Sequence, residues 1–215
     1  MKSLSNCHCS NDDNCKSEIN KAKKFVDKLG RNDRDTYTVA HFDLKGSTKL
    51  MQSNAYDAIT KMLLHNKICR NIIEKNNGKV IKELGDAVMV TFNGTGKACA
   101  CAIKIIRNLK KHEKEIRTKV TISHGTLWNI KTTKEDDVYG EPVNRCTRMS
   151  KYANEDCILF EEQAYLTIRL FLQDEKNINY RIVKCNKSDP KVECHGDDIV
   201  LDDFGITPMR EIIVQ

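Results

Sequence analysis

The chain has 215 residues and a mass of 24.6 kDa, enough for one domain with a full hydrophobic core and short for two. Its 40% apolar and 31% charged residues exclude a disordered chain, and no run of about 18 apolar residues exists to form a transmembrane helix. The net charge of +6 mildly favours anionic ligands without pointing to nucleic acid. With no apolar stretch after Met1 to mark a signal peptide, the chain reads as cytoplasmic, with neither a membrane nor a nucleic acid as partner.

Residues 1–16 are polar and read as a flexible, cysteine-rich N-terminus. Residues 17–29 put Ile19, Ala22, Phe25, Val26 and Leu29 on one helix face, with Ser17 to cap the start and Gly30 to end it. A charged linker reaches residue 35, and the main domain is expected over 36–215. Residues 36–42 alternate and are β-branched, a strand. A helix follows over roughly 53–76, with Ile59, Met62, Leu63, Cys69, Ile72 and Ile73 inward and a break at Asn76-Asn77-Gly78. Residues 79–84 and 87–92 read as two strands around a tight turn at Gly85-Asp86. The next helix is the cleanest: Ala98, Cys101, Ala102, Ile105, Ile106 and Leu109 share a face at helical spacing. Its opposite face carries Lys104, Arg107, Lys110, Lys111 and Lys114, read as a solvated face. A strand over 119–127, a polar excursion over 131–137, a helix over 142–152, a strand over 157–160 and a helix over 162–172 come next. The tail from 180 to 215 is strand-rich with one long polar loop. Interleaved strands and helices imply an α+β or α/β sheet layered with helices.

Ten cysteines is a high count. Five sit in apolar patterns as small core residues: Cys69, Cys99, Cys101, Cys146 and Cys157. The rest group near the ends, as Cys7-His8-Cys9 with Cys15 and as Cys185 with Cys194-His195. These residue types are zinc ligands, but the spacing matches no paired C-x-x-C pattern, so free reduced thiols are expected.

Two acids stand out. Asp43 ends an apolar strand and precedes a Gly-Ser-Thr turn and a helix. That puts a carboxylate beside backbone N–H groups, a site for a metal-bound phosphate. Asp86 lies in the hairpin turn, where an acid alone is ordinary. Two such carboxylates on neighbouring strands can hold two divalent ions for in-line phosphoryl displacement. His41, beside Asp43, is expected to point to the other face of its strand.

Four segments in order resemble the catalytic domain of class III nucleotidyl cyclases: Phe42-Asp43-Leu44-Lys45-Gly46-Ser47-Thr48, Lys82-Glu83-Leu84-Gly85-Asp86, Ile122-Ser123-His124-Gly125 and the run from Tyr139 to Arg148. The likeness spans about residues 36–172. It implies an α+β, ferredoxin-like (βαββαβ) fold, with a mixed, mostly antiparallel sheet and helices on its face. It also implies a head-to-tail homodimer with its sites at the interface. In that family Asp43, Asp86 and the carbonyl of Leu44 correspond to ligands for two Mg²⁺ or Mn²⁺ ions per site. Gly46, Ser47 and Thr48 correspond to the phosphate-binding turn, Asn144 to the residue orienting the ribose, and Arg148 to the arginine on the reacting phosphate. The implied reaction is attack of the ribose 3′-OH on the α-phosphate of a nucleoside triphosphate, with loss of pyrophosphate.

The base-reading positions of the family fall on Lys82 and Asp137. Lysine donates to adenine N1 and aspartate accepts from its N6 amine, but cytosine shows the same acceptor–donor pattern. ATP and pyrimidine substrates therefore both remain open. A catalytic domain with about 35 residues before it also resembles, in architecture, the free-standing pyrimidine cyclases of bacterial Pycsar antiphage systems, whose product is read by a separate effector. The family's Lys-Gly-Phe-type turn is replaced by Asp202-Asp203-Phe204-Gly205, with Lys187 or Lys191 as substitutes for the lost lysine. The competing class is a cyclase-like regulatory module without catalysis.

Overall fold

A computed structural model describes residues 13–28, 34–112, 115–131, 136–173, 178–182, 194–195, 198–201 and 205–214. Helix α1 (Asp13–Lys28) leads into strand β1 (Arg34–Leu44), then helices α2 (Ser47–Ser53) and α3 (Ala55–Lys75). The hairpin β2 (Lys79–Leu84) and β3 (Ala87–Phe92) precedes α4 (Thr95–His112) and β4 (Thr118–Lys131). Next come β5 (Asp136–Tyr139), α5 (Glu141–Met149), β6 (Cys157–Glu161), a 3₁₀ turn (Glu162–Ala164), α6 (Tyr165–Leu172) and β7 (Ile178–Ile182). Strands β8 (Cys194–His195), β9 (Asp198–Leu201) and β10 (Gly205–Thr207) make a small sheet, and β11 (Met209–Val214) returns to the main one.

The main sheet runs β2-β3-β1-β4-β6-β11-β7, with β5 paired to β4. Its first four strands, in the order β4-β1-β3-β2 and all antiparallel, with α3 and α4 as connections, form the expected ferredoxin-like βαββαβ unit. The parallel β4–β6 pair makes the sheet mixed but mostly antiparallel.

Strand β1 divides the core. Ala40, Phe42 and Leu44 join one cluster with buried residues of α3 and α4, while Val39 joins another with Met89, Leu127, Val138 and Cys146. This alternation is the period-two pattern of a strand buried on both faces. Phe42 is fully buried, so Phe42→Ala costs about 3–5 kcal/mol. The inward residues expected on α4 are all buried, as are the five core cysteines. Burial pushes the Cys101 and Cys146 thiols up to about 12, because a thiolate there is poorly solvated.

Several elements differ from expectation. Strand β1 extends through Asp43 to Leu44, and β4 through to Lys131. The single expected helix over 53–76 is two helices, because Asn54 leaves helical geometry and its side chain accepts the Asp57 N–H at 3.2 Å, capping α3. Ile59 and Leu63 are 44% and 60% exposed. Cys69 and Ile73 are buried as expected and Met62 and Ile72 pack partly buried against the core, while Ala58, His65 and Asn66 complete the inward face, the last two polar and missed by an apolar pattern. Phe25 and Val26 on α1 are also largely exposed. The end of the polar excursion runs into strand β5, registered against β4. Helix α5 ends at Met149, with a turn carrying the chain on to Tyr152. Cys7, His8, Cys9, Gly30, Cys185, Lys187, Lys191 and Asp202 lie outside the described residues, as do the side chains of Cys15, Cys194 and His195.

Candidate functional site

Antiparallel register places Asp43 of β1 opposite Ala87 of β3, so the hairpin turn carries Asp86 alongside it. The Leu44 N–H donates to the Asp86 carbonyl at 3.1 Å, fixing the two carboxylate-bearing segments side by side. Gly85 supplies the left-handed conformation (φ 62°) that this tight turn needs. Ser47, first in α2, donates its hydroxyl to Asp86 Oδ2. Ser47, Thr48, Met51 and Asp86 line a cavity of about 450 Å³.

On the other flank of β1, Asp43 lies opposite Lys119 of β4. Lys119 Nζ reaches Asp43 Oδ2 at 2.8 Å, and both side chains are less than one-fifth exposed. The Ser150 hydroxyl donates to the same oxygen at 3.1 Å. The two carboxylates thus form an oxygen-only donor pair with a cation resting on one member. Among the described residues no three or more His, Cys, Asp or Glu side chains converge as a metal cage. Two carboxylates completed by backbone carbonyl, water and phosphate oxygens suit Mg²⁺ or Mn²⁺, which keep waters and share phosphates.

A second cleft, of about 520 Å³, is lined by Lys82, Val138, Tyr139, Gly140 and Asn144, among others. Here β5 brings Asp137 to Lys82, whose Nζ lies 2.9 and 3.0 Å from its two carboxylate oxygens. The Val138 N–H also donates to Asp137 at 2.8 Å. Burial alone pushes the Asp137 carboxyl up, but these hydrogen bonds outweigh it and hold the group below its usual range. Asn144 is exposed on α5, and Arg148 follows one turn later, half-buried.

The ten residues singled out from sequence therefore fall into distinct places. Asp43, Leu44, Gly46, Ser47, Thr48 and Asp86 gather at the β1–α2 junction, whereas Lys82, Asp137 and Asn144 gather at the cleft beside α5, with Arg148 further along that helix. Among the described residues the two cavities share no lining residue. His41 needs correction: residues two apart on a strand share a face, so it lies on the Asp43 side. Burial holds its imidazole below the usual value, against the upward pull of Asp43 and Asp86. Lys119 and Ser150 were not found from sequence. Both are unremarkable by type, and only strand register and the end of α5 bring them to Asp43.

The model of the adenylate and guanylate cyclase catalytic domain matches residues 30–195. An adenylate cyclase of Streptomyces coelicolor is 25% identical over 124 residues, which is 57% of this chain and 32% of that protein. One of Streptomyces griseus is 25% identical over 120 residues, 55% of this chain and 29% of that protein, so the chain spans about a third of the length of these relatives. The fold is shared with the adenylyl cyclase CyaB of P. aeruginosa (TM-score 0.63, 20% identity, covering 85% of this chain and 95% of that one). It is likewise shared with an adenylate/guanylate cyclase/hydrolase from Silicibacter pomeroyi (TM-score 0.65, 15% identity, 85% and 98%).

Proposed function

The chain belongs to the adenylate and guanylate cyclase catalytic-domain family, and from that premise we propose that it converts ATP to 3′,5′-cyclic AMP and pyrophosphate. The observation carrying this reading is that Asp43, near the end of β1, and Asp86, in the β2–β3 turn, are held side by side by the Leu44–Asp86 backbone hydrogen bond, with the Lys119 ammonium resting on Asp43.

In this reading Asp43, Asp86 and the Leu44 carbonyl hold two Mg²⁺ or Mn²⁺ ions. When bound, such ions lower the pKa of the ribose 3′-OH and neutralise charge on the reacting phosphate. Ser47 keeps the Asp86 carboxylate oriented through its hydroxyl. Lys119 balances the Asp43 carboxylate and places a positive charge where a triphosphate would be held. Gly46, Ser47 and Thr48 receive phosphate oxygens at the turn. Asn144 orients the ribose, and Arg148 stabilises the negative charge that builds on the α-phosphate.

Lys82 and Asp137 read the base. Lys82 donates to N1 and Asp137 accepts from the N6 amine, exchanging their mutual ion pair for two charge-assisted hydrogen bonds. The adenylate cyclase names of the relatives favour ATP over the pyrimidine triphosphates that the same pair can read. The carboxylate cluster and the base cleft are separate within one chain, so we place the complete site between two head-to-tail copies. Each copy then lends its metal ligands to one site and its base and ribose residues to the other.

Incubation of the protein with Mn²⁺ and ATP, GTP, CTP or UTP in turn, with products identified by mass, tests this. Cyclic AMP from ATP is the expected product. Cyclic CMP or UMP alone assigns the pyrimidine reading, and no product from any triphosphate leaves a regulatory module.

A further inference from the structure

Helix α3 buries two adjacent polar residues among apolar ones. His65 is fully buried and Asn66 is 5% exposed. Groups of this kind cost free energy unless their hydrogen bonds are met. Here each bond leads toward a different carboxylate-bearing segment.

The Gly85 carbonyl can only accept, so the group facing it at 2.9 Å is the Asn66 Nδ2 amide. That fixes Asn66 Oδ1 against His65 Nδ1 at 3.1 Å, and an oxygen acceptor requires the proton on Nδ1. Burial lowers the His65 pKa and keeps the ring neutral, so Nε2 is an acceptor. The Thr118 hydroxyl lies 3.1 Å from Nε2 and 3.3 Å from the Asp43 carbonyl and donates its one proton to one of them at a time, while the Cys69 thiol, 3.6 Å from Nε2, is a second donor to the ring. The buried chain therefore runs from the Asp86 turn through Asn66, His65 and Thr118 to the backbone of Asp43. It closes a bracket behind the Leu44–Asp86 hydrogen bond.

We propose that His65 and Asn66 are positioning residues that set the spacing of the Asp43 and Asp86 carboxylates and so their affinity for divalent cations. The proposal rests on the reading of those carboxylates as cation ligands. Neither residue touches the cation or the substrate. Their effect passes through the Gly85 carbonyl, which anchors the turn, and through Thr118, which braces the end of β1. Outer partners of metal ligands commonly change affinity by 10–100-fold.

The test is Mn²⁺ titration of the full chain without nucleotide, following free Mn²⁺ by electron paramagnetic resonance, alongside thermal melting. Wild type takes up Mn²⁺, and Asp86→Asn removes that uptake. The double variant His65→Leu/Asn66→Leu replaces the buried pair with apolar groups of similar size, and leaves the Gly85 carbonyl and the Thr118 hydroxyl without these partners, so some stability is lost. It is expected to weaken Mn²⁺ binding about tenfold or more, with a lower melting temperature in a chain that still folds. In turnover, half-saturating Mn²⁺ rises while kcat at saturating Mn²⁺ is retained. His65→Gln, whose carboxamide still donates to Asn66 and accepts from Thr118, restores wild-type affinity. Should the double variant not fold, Asn66→Leu alone gives the same readout. Unchanged Mn²⁺ affinity in a folded Leu variant overturns the proposal alone, whether or not its melting temperature falls. No Mn²⁺ uptake by wild type overturns the ligand reading and the proposal with it.

Discussion

Replacing Lys82 with methionine separates base recognition from stability. The Lys82–Asp137 pair is 31% and 24% exposed, so solvent screens it and its contribution to folding is at most about 1 kcal/mol. In a chain of this size that shifts the melting temperature by no more than about 2–4 °C. A hydrogen bond from an ammonium to a desolvated base nitrogen is worth more, about 1.5–3 kcal/mol. At 1.4 kcal/mol per decade, Lys82→Met therefore lowers kcat/KM for ATP by roughly 10–150-fold. The loss should be selective, because GTP offers an N–H where ATP offers the N1 lone pair. The assay is initial rate against each triphosphate separately, with melting curves on the same samples. An equal loss for ATP and GTP, or no loss at all, would refute Lys82 as a reader of the base.

Three further outcomes follow from the geometry. Asp86→Asn keeps a partner for Ser47 and the fold, yet turnover falls about a thousandfold as several kcal/mol of charge stabilisation disappear; unchanged circular dichroism with retained turnover counts against the site. Burial holds His65 below its ordinary value of 6.5, so below that pH the unfolded chain binds a proton that the folded chain does not. Stability then falls with pH by at most about 1.4 kcal/mol per unit for this group, levelling off below the folded-state pKa; urea unfolding across pH 7.5 to 5.5, a range of about two units, should show a shallower slope in His65→Gln. Finally, Cys69, Cys99, Cys101, Cys146 and Cys157 should resist iodoacetamide at about pH 8 until denaturant is added, and peptide mapping that finds any of them labelled in native protein contradicts their burial.

Much of the fold was legible because its signals are local. The α4 face repeats at helical spacing, and all six residues read from it are buried. The β2–β3 hairpin was placed with its observed limits because Gly85 and Asp86 announce the turn between two β-branched runs. Helix α3 was read less well for the opposite reason. Its buried face includes His65 and Asn66, which a hydrophobic pattern rejects, and the inferred face turned toward Ile59 and Leu63. The four residues of strand β5, Asp-Asp-Val-Tyr, carry little strand signal of their own. What orders them is pairing with the long β4, from Trp128 opposite Tyr139 to Lys131 opposite Asp136.

The same division runs through the site. Asp43, Gly46, Ser47 and Asp86 could be read because a short run of chain places each relative to a turn. Lys119, Ser150 and Thr118 could not, since each meets Asp43 only through the β1–β4 register or the end of α5. Register is a long-range property, and a slip of one residue would carry Lys119 to the opposite face. The carboxylates are therefore written locally, whereas the groups that balance and brace them are written in the pairing of strands. A local motif carries the two carboxylates but not the Lys119 ammonium that rests on one of them. Burying much of the Asp43 carboxylate is tolerable because the Lys119 ammonium and the Ser150 hydroxyl both meet its Oδ2 oxygen.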